Sequence, residues 1–452
     1  MRPHGQGELP GSAEPSAPEG DAIRYPRTAA GRAVAVSAET AAKDRAASAL
    51  ANPQFRLLFL GNVTTMLGFG MMQVVQGVLA FELTGKNSSV GFVAMGWGIP
   101  MLLLGPIGGA LSDRLSKRML LMFGQAAVGA IFFTIGLLFI LDVLSIWILF
   151  AMTTVMGITF AILMPARQAW VGDLLQGPAL ANGVALQQLM MNATRIVGPL
   201  AAGGMIAWSP IGVGGTYLVM SSLFLISFGL LFLMDPTNRR GANKVSVFGD
   251  LKIGLRYTWD AKEVRLMMLM FAGVVMTAFS YQQLMPGFLE NELGQPSNRV
   301  GIMFGASAIG GIILTLALTK NGASGRAAHL MFIFGAASGV SVILMALAPN
   351  FQLALVGAAL VGASSSGFQM CNQVNLMQKT DPAFFGRVMS LTMTAFGLQM
   401  AVGFPAGVVA DAVGERGTMI ALAVGCMAIV AAGWTASRSM RRADPVAAGA
   451  PQ

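Results

Sequence analysis

The chain has 452 residues, of which 55% are hydrophobic and only 11% charged, and its mean hydropathy is +0.66. Soluble domains carry about 25% charged residues, so this composition excludes an ordinary soluble protein and indicates one that crosses a membrane many times. The net charge of +9 would suggest nucleic-acid binding in a soluble protein. Here the basic residues cluster in short loops and indicate membrane topology instead.

The first 52 residues differ from the rest of the chain. They are rich in Pro, Gly, Ala and Ser with scattered charge, and they contain no apolar run long enough for a signal peptide. This composition predicts a disordered cytoplasmic tail over residues 1–52, either dispensable or regulatory. Residues 439–452 have a similar composition and are predicted to form a second cytoplasmic tail.

Apolar stretches of about 20 residues, the length that crosses a bilayer as a helix, recur between the tails. We predict an all-α integral membrane protein of twelve transmembrane helices in two six-helix pseudo-repeats, residues 53–236 and 263–438. The predicted spans cover residues 57–83, 90–111, 119–141, 146–164, 180–208, 215–234, 265–289, 300–319, 328–347, 351–377, 388–410 and 418–437.

The loops between these spans alternate in charge. One side carries Lys117, Arg118 and the basic stretch 239–262, whereas the other carries the acidic residues Glu82 and Asp142. The positive-inside rule makes the basic side cytoplasmic. Both termini are therefore predicted to face the cytoplasm, which agrees with an even number of spans, in the plasma membrane or bacterial inner membrane.

The loop between the second and third predicted spans reads GALSDRLSKR, residues 109–118. Its first glycine and its aspartate lie one helical turn apart, so a neighbouring backbone can approach closely while the carboxylate meets a helix N-terminus or a cation. This run resembles the loop between the second and third helices of major facilitator superfamily transporters, with serine in place of the second glycine. The residues that match are Gly109, Asp113, Arg114, Lys117 and Arg118.

The charges around this loop predict a cytoplasmic gate. We expect Asp113 to pair with the N-terminal end of the eleventh span, near Arg387, when the cavity opens outward. Arg118, Arg167 and Asp173 are expected to complete a charge network beside it. Such half-exposed pairs contribute about 1 kcal/mol or less each, which suits contacts that break in every cycle.

A second resemblance covers residues 165–203, PARQAWVGDLL and then LANGVALQQLMMNATRIVGPLAAG. It is similar to the drug- and siderophore-exporting branch of the superfamily, which includes the enterobactin exporters. Gly198, Pro199 and Gly203 resemble the fifth-helix antiporter motif, although three residues rather than two separate the Gly-Pro pair from the paired glycines. Because Pro199 removes a helical hydrogen bond, these residues predict a hinge or a close-packed contact.

Residues 237–262 separate the two weakly similar halves and are predicted to form a cytoplasmic linker. Phe248, Leu251, Leu255 and Trp259 recur there at helical spacing. This pattern predicts an amphipathic helix on the inner leaflet, with a partner-binding helix as the alternative.

Arg195 lies deep inside the fifth predicted span, about 22 Å from its cytoplasmic entry. A buried cation needs a partner or water, so Arg195 either contacts an anionic or polar substrate, links two helices, or bonds to helix carbonyls and amides. Neutral amides in the first, fifth, seventh and tenth spans predict either a wet cavity or bonds between helices. The cavity candidates beside Arg195 are Asn62, Gln73, Gln76, Asn192, Gln282, Gln283, Asn372 and Asn375.

None of the 20 Asp and Glu residues falls near the middle of a predicted span. Proton coupling needs a titratable group whose exposure alternates. The candidates are Asp113 at the inner gate, and Glu82 and Asp411 near the outer ends of the first and eleventh spans. Without an acid in the cavity, neutral or anionic substrates fit better than cations.

Together, these features predict a secondary active transporter that exports small amphiphilic compounds, drugs or siderophores, by proton-linked alternating access. An uptake carrier or lipid flippase on the same fold and a non-transporting sensor or scaffold are the alternatives. No catalytic or metal-ligand spacing is present, so we predict neither an enzyme nor a cofactor. The expected partners are a small-molecule substrate, a proton and the bilayer, without nucleic acid, and the expected oligomeric state is a monomer.

Overall fold

The computed structural model describes residues 49–114, 116–175, 178–235, 247–320, 327–381 and 384–443. The predicted tails and the start of the predicted linker lie largely outside these ranges. The described residues form α-helices without strands: α1 (Pro53–Glu82), α2 (Asn87–Arg114), α3 (Lys117–Ile140), α4 (Ile146–Leu174), α5 (Pro178–Ala207), α6 (Gly212–Phe232), α7 (Val247–Asp260), α8 (Lys262–Ala278), α9 (Tyr281–Gly287), α10 (Val300–Lys320), α11 (Ala327–Ala346), α12 (Phe351–Lys379), α13 (Phe385–Val413) and α14 (Glu415–Ala443).

Twelve segments have the length of a membrane span, as the sequence predicts. Eleven segments of the described chain are both long and apolar enough, and one of them, Lys262–Glu292, combines α8, α9 and a π-helical turn over Phe288–Glu292. The remaining one is α5, whose 30 residues are long enough to span. Its glutamines, Asn192 and Arg195 make it more polar than the others. The twelve-helix, all-α fold is therefore confirmed.

Short polar side chains begin several of these helices. Asn52 Oδ1 accepts hydrogen bonds from the backbone N–H of Gln54 (3.0 Å) and of Phe55 (3.3 Å), and Pro53 occupies the first turn, where its missing N–H costs nothing. Ser116, Ser145 and Asn350 cap α3, α4 and α12 in the same way.

The helices form two bundles. In the N-terminal bundle, α1 contacts α5 and α6, α2 contacts α4, and α3 contacts α4 and α6. In the C-terminal bundle, α10 and α11 pack on α12, and α14 contacts α8 and α11. The bundles meet chiefly where α2 contacts α13 and α5 contacts α10, whereas α7 contacts both α2 and α13.

Two faces of the molecule are defined by the ends of the helices. The Asn87 face contains the ends that join α1 to α2 and α13 to α14. The Lys117 face, at the opposite ends, contains the junctions of α2 with α3 and of α4 with α5. The charge distribution predicts that the Lys117 face is cytoplasmic.

Candidate substrate cavity and gates

Glycines allow the two bundles to touch along two helix pairs. A Cβ atom on Gly203 of α5 would lie 2.9 Å from Cα of Gly301 on α10, closer than real Cβ atoms approach. A Cβ atom on Gly98 of α2 would lie 2.8 Å from the carbonyl oxygen of Gly397 on α13. Each contact therefore requires a residue without a side chain, and each holds the two bundles together.

At the Asn87 face, Asp411 of α13 caps the first turn of α2. Its carboxylate accepts hydrogen bonds from the backbone N–H of Asn87 (2.8 Å) and of Ser88 (3.0 Å). The first N–H groups of a helix have no partner within it and carry partial positive charge, so a carboxylate is favourable there. This cap joins the two bundles. The sequence predicts a position for Asp411 near this face, but not this contact.

Glu415 adds a buried carboxylate to the same junction. It is 4% exposed and accepts hydrogen bonds from Nδ2 of Asn87 (2.8 Å) and of Asn291 (2.6 Å). Gly414, whose φ of 89° favours glycine, makes the turn between α13 and α14 that separates Asp411 from Glu415. We call Asn87, Ser88, Asn291, Asp411 and Glu415 the outer lock.

The other coupling candidate with a described side chain, Glu82, lies outside this lock. It is exposed at the end of α1 and lines an open recess with Glu290 and Ser297. No described hydrogen bond or ion pair joins Glu82 to the C-terminal bundle. Of the two candidates with described side chains, Asp411 is therefore the one whose carboxylate contacts the other bundle.

A polar stripe runs along the side of α5 that turns toward the C-terminal bundle. Gln188, Asn192 and Arg195 follow one another at helical spacing and all are exposed. The same stripe continues through Pro199 and Gly203, which are buried because Gly301 of the other bundle covers them. Since the covered part of the stripe contacts α10, the uncovered part lies on the same side of α5, nearer the Lys117 face, and we call the space between it and the C-terminal bundle the gap.

Pro199 gives this stripe a second polar group. A proline at this position cannot donate to the carbonyl four residues earlier, so the Arg195 carbonyl lacks its helical donor. On an adjoining side of α5, Gly198 approaches Gly70 of α1 so closely that a Cβ on Gly198 would lie 2.8 Å from Gly70 Cα. Among the described residues, no hydrogen bond or ion pair reaches the Arg195 guanidinium. The stripe therefore presents a cation and a carbonyl to the gap.

The seventh span is broken rather than continuous, which corrects the predicted single helix over residues 265–289. α8 ends at Ala278 and α9 begins at Tyr281, and the carbonyl of Phe279 lies 3.4 Å from Gln399 Nε2 of α13. Within a membrane, non-helical backbone is tolerated where protein or cavity groups satisfy it. Pro286 inside α9 removes one further helical donor.

The predicted cavity residues Gln282 and Gln283 directly follow this break. Gln282 is half-buried, and Gln283 is buried with its Oε1 3.4 Å from Gln399 Nε2. A Cβ on Gly403 of α13 would lie 2.9 Å from Gln283 Cγ. Gln283 thus packs beside α13 on the helix that also contacts α2. Polar groups therefore lie near the interface in both bundles, on α5 in one and after the break in the seventh span in the other.

The remaining cavity candidates divide between the two interpretations left open by the sequence. Gln76 donates to Thr153 of α4 (2.8 Å), a bond between helices of one bundle. Asn62, Asn372 and Asn375 are also buried, whereas Gln73 is exposed. For Gln76 the structure favours the bond between helices, and for Asn192 and Arg195 it favours the gap.

The predicted cytoplasmic gate is only partly within the described side chains. The backbone places Gly109, Asp113 and Arg114 in the last turns of α2, rather than in a loop, and Arg387 in the first turn of α13. The side chains of these four residues lie outside the described part of the structure.

The described gate residues form separate contacts rather than one network. Lys117 and Asp173 form an ion pair of 2.6 Å between α3 and α4. Arg118 donates to the carbonyls of Leu231 and Phe232 at the end of α6. These contacts all lie inside the N-terminal bundle, so they join its helices and not the two bundles.

Arg167 is buried inside the N-terminal bundle, which differs from its predicted place among surface charges. It is 7% exposed, and its Nη2 lies 3.4 Å from Thr65 Oγ1. The same hydroxyl accepts from Gln125 Nε2 (3.0 Å) and lies 3.0 Å from Ser227 Oγ. Four helices, α1, α3, α4 and α6, therefore meet at Thr65 through polar side chains that the sequence analysis did not group.

The residues that the sequence analysis missed at the outer lock had a recognisable signal. Asn and Ser are favoured at helix N-termini, and Asn87 and Ser88 begin α2. What the sequence did not show is that the capping carboxylate comes from a helix more than 300 positions later.

Two helix bundles joined by close glycine contacts, with a polar gap and a broken helix between them, define a membrane transporter of the two-bundle class. Residues 45–447 match the family model described as transmembrane secretion effector. The chain therefore belongs to that family of the major facilitator superfamily and is a transporter, not an enzyme, which confirms both expectations.

Curated relatives agree with this assignment. The staphyloferrin A transporter of Staphylococcus aureus is 27% identical over 351 residues, 76% of this chain and 84% of its own. The enterobactin exporter EntS of Shigella boydii is 23% identical over 346 residues, 75% of this chain and 81% of its own. The predicted likeness to siderophore-exporting members of the superfamily is confirmed.

Solved structures show the same fold. The D323A mutant of the nucleoside transporter NupG has a TM-score of 0.69 at 13% identity, covering 85% of this chain and 99% of its own. A POT family transporter in complex with a thioalcohol-conjugated peptide has a TM-score of 0.67 at 12% identity, with 85% and 96% covered.

Proposed function

We propose that this protein is an exporter of small, neutral or anionic amphiphilic compounds, siderophores among them, and that it works by proton-linked alternating access. The observation that carries the proposal is the α5 stripe. It offers Gln188, Asn192 and the Arg195 cation to the gap on the Lys117 side of a closed interface. Because the Lys117 face is predicted to be cytoplasmic, the gap would open to the side from which an exporter takes up its substrate.

Substrate choice follows from the charges around the gap. Arg195 has no described acidic partner, so an anionic group on a substrate could supply one in a site with little water. A permanent cation would meet the same guanidinium and be repelled. Neutral amides at Asn192 and Gln282 would bind polar groups of varied compounds.

Proton coupling is assigned to Asp411 in this proposal. Its carboxylate joins the bundles at the Asn87 face, and protonation would remove the charge that favours the α2 N-terminus. A proton arriving from that side would therefore weaken the outer lock and favour release of the cargo outward. Proton entry would drive export.

The test uses inside-out membrane vesicles with enterobactin, staphyloferrin A and a permanent dication as probes. We expect accumulation of at least one siderophore that requires an imposed proton gradient, and none of the dication. Arg195→Gln should lower siderophore accumulation roughly tenfold, because a hydrogen bond to a charged group contributes about 1.5–3 kcal/mol. The matched control is Arg299→Gln, which removes an arginine stacked on Phe351 away from the gap.

Three results would contradict the proposal. Strong dication transport that siderophores do not compete with would remove the assignment to neutral or anionic cargo. Accumulation in right-side-out vesicles alone would indicate an uptake carrier. Flux that is unchanged when the proton gradient collapses would remove the proton coupling.

A further inference from the structure

A recess between α11 and α14, at the Lys117 face of the C-terminal bundle, belongs to neither the gap nor the gates. The residues that line it are Ala328, His329, Phe332, Trp434, Ser437 and Arg438. We call it the Trp434 recess. α11 and α14 contact each other, while their described contacts with other helices stay inside the C-terminal bundle. The recess therefore opens on the periphery of the protein.

Aromatic rings form the floor of this recess. Trp434 lies edge-to-face with Phe332 at 5.0 Å and with His329 at 5.8 Å between ring centroids. The Arg438 guanidinium lies over the Trp434 ring at 4.8 Å from its centroid. These contacts fix a cation at a defined place, because a guanidinium is attracted to the face of an indole.

The polar groups of the recess have no hydrogen-bond or ion-pair partner in the part of the chain that the structure describes. No hydrogen bond or ion pair to His329, Ser437 or Arg438 side chains occurs among the described residues. Other arginines stacked on rings differ: Arg118 donates to two carbonyls at Phe232 and its neighbour, and Arg265 donates to the Trp259 carbonyl at 2.8 Å. The Arg438 guanidinium keeps its donors for an external acceptor.

The position of the recess identifies that acceptor. The apolar span of α14 ends at Met440 and that of α11 begins at Ala327, so Arg438 and His329 lie where hydrocarbon gives way to headgroups. Ile333, one turn beyond His329, is 59% exposed and offers an apolar surface for an acyl chain. A cation with free donors at this depth matches a lipid phosphate.

We propose that the Trp434 recess binds the phosphodiester headgroup of an anionic phospholipid, with Arg438 as the phosphate ligand and Ser437 and His329 as further donors. The acyl chains would run along α11 past Ile333. The site serves the membrane anchoring of the C-terminal bundle and is separate from substrate transport.

The test measures lipid retained by the purified full-length protein in detergent, using native mass spectrometry with phosphatidylglycerol, phosphatidylcholine or inorganic phosphate added. We expect the wild type to retain about fivefold more phosphatidylglycerol than phosphatidylcholine. Arg438→Gln should remove this preference, and His329→Gln should reduce it. The matched control Arg265→Gln, which also removes an arginine stacked on a tryptophan, should leave it unchanged.

Each alternative result overturns the proposal. Equal retention of both lipids by the wild type would show that the recess does not select an anionic headgroup. An unchanged preference in both Arg438→Gln and His329→Gln would place the lipid elsewhere. Retention of inorganic phosphate in place of phosphatidylglycerol would indicate a free-phosphate site. If Arg265→Gln lost the preference for phosphatidylglycerol as fully as Arg438→Gln, the preference would come from general surface charge and not from the recess.

Discussion

The two faces of the molecule are held together in different ways. At the Asn87 face, Asp411 and Glu415 of one bundle accept hydrogen bonds from Asn87 of the other. At the Lys117 face, the described ion pairs join helices of the same bundle, as Lys117 of α3 and Asp173 of α4 do. Contacts within a bundle survive when the bundles rock, whereas contacts between them must break. The structure therefore represents a state closed at the Asn87 face.

The contacts between the bundles and the contacts within a bundle have different roles. The outer lock and the Gly203–Gly301 contact set the balance between the two states of an alternating-access cycle. The Lys117–Asp173 pair and the polar cluster at Thr65 stabilise one bundle in either state. Mutations at the first group should change the balance, and mutations at the second should change stability.

The largest effect is expected for Gly203→Leu, which places a side chain against Cα of Gly301. Overpacking costs about 1–3 kcal/mol, which changes a two-state ratio by roughly 5- to 150-fold, so the closed Asn87 face should be lost and transport in vesicles should nearly stop. Gly204→Leu is the matched control, because a Cβ there would meet nothing within 4 Å. Equal transport in the two variants, at equal amounts in the membrane, would contradict the contact's role.

The next effect is expected for Asp411→Asn, which keeps an acceptor but removes the charge at the α2 N-terminus. Hydrogen bonds to charged groups contribute about 1.5–3 kcal/mol, so losing part of this should open the Asn87 face by roughly tenfold in population. Double electron–electron resonance between spin labels at the exposed residues Lys86 and Val413 should show a longer distance in this variant than in the wild type. The native cysteines are buried and should not be labelled.

Asp142→Asn is the matched control for this measurement. Asp142 is an exposed carboxylate on the same face, and its φ of 55° suits asparagine equally well. It makes no described contact with the C-terminal bundle. If Asp142→Asn lengthened the label distance as much as Asp411→Asn does, the effect would come from surface charge. The role of Asp411 in closing the Asn87 face would then be contradicted.

The sequence predicted the helices and several of these residues, but not their partners. Apolar length and loop charge suffice for twelve spans, because crossing a bilayer constrains each helix separately. Asp411 was recognisable as a carboxylate near a helix end. Its contact with Asn87 depends on how two distant helices pack, and no local pattern encodes that. The break before Gln282 likewise depends on Gln399 of α13 meeting a freed carbonyl.

A smaller and opposite effect is expected at the linker helix. Tyr257 of α7 stacks on Phe384 beside α13 with ring centroids 4.3 Å apart, and its Oη accepts from the Asp381 N–H at 3.0 Å. Aromatic pairs contribute about 0.5–1.5 kcal/mol. Because α7 also contacts α2, Tyr257→Leu should loosen the Lys117 face and disfavour the outward-open state, lowering transport roughly 2- to 10-fold.

Tyr257→Phe is the control that separates the stack from the hydrogen bond, since it keeps the ring and removes the hydroxyl. We expect transport close to that of the wild type. In a background of Asp411→Asn, Tyr257→Leu should shorten the distance between labels at Lys86 and Val413 again. A further lengthening would mean that α7 does not act against the outer lock.

The smallest effect is expected for Lys117→Gln, which breaks the ion pair with Asp173 inside the N-terminal bundle. The two side chains are 12% and 20% exposed, and exposed or partly exposed pairs contribute about 0–1 kcal/mol. The melting temperature should fall slightly, while the distance between labels at Lys86 and Val413 should not change, because the pair exists within one rigid bundle. A clear change in that distance would show that the Lys117 face also sets the balance between the two states, and the difference between the faces would then be one of degree.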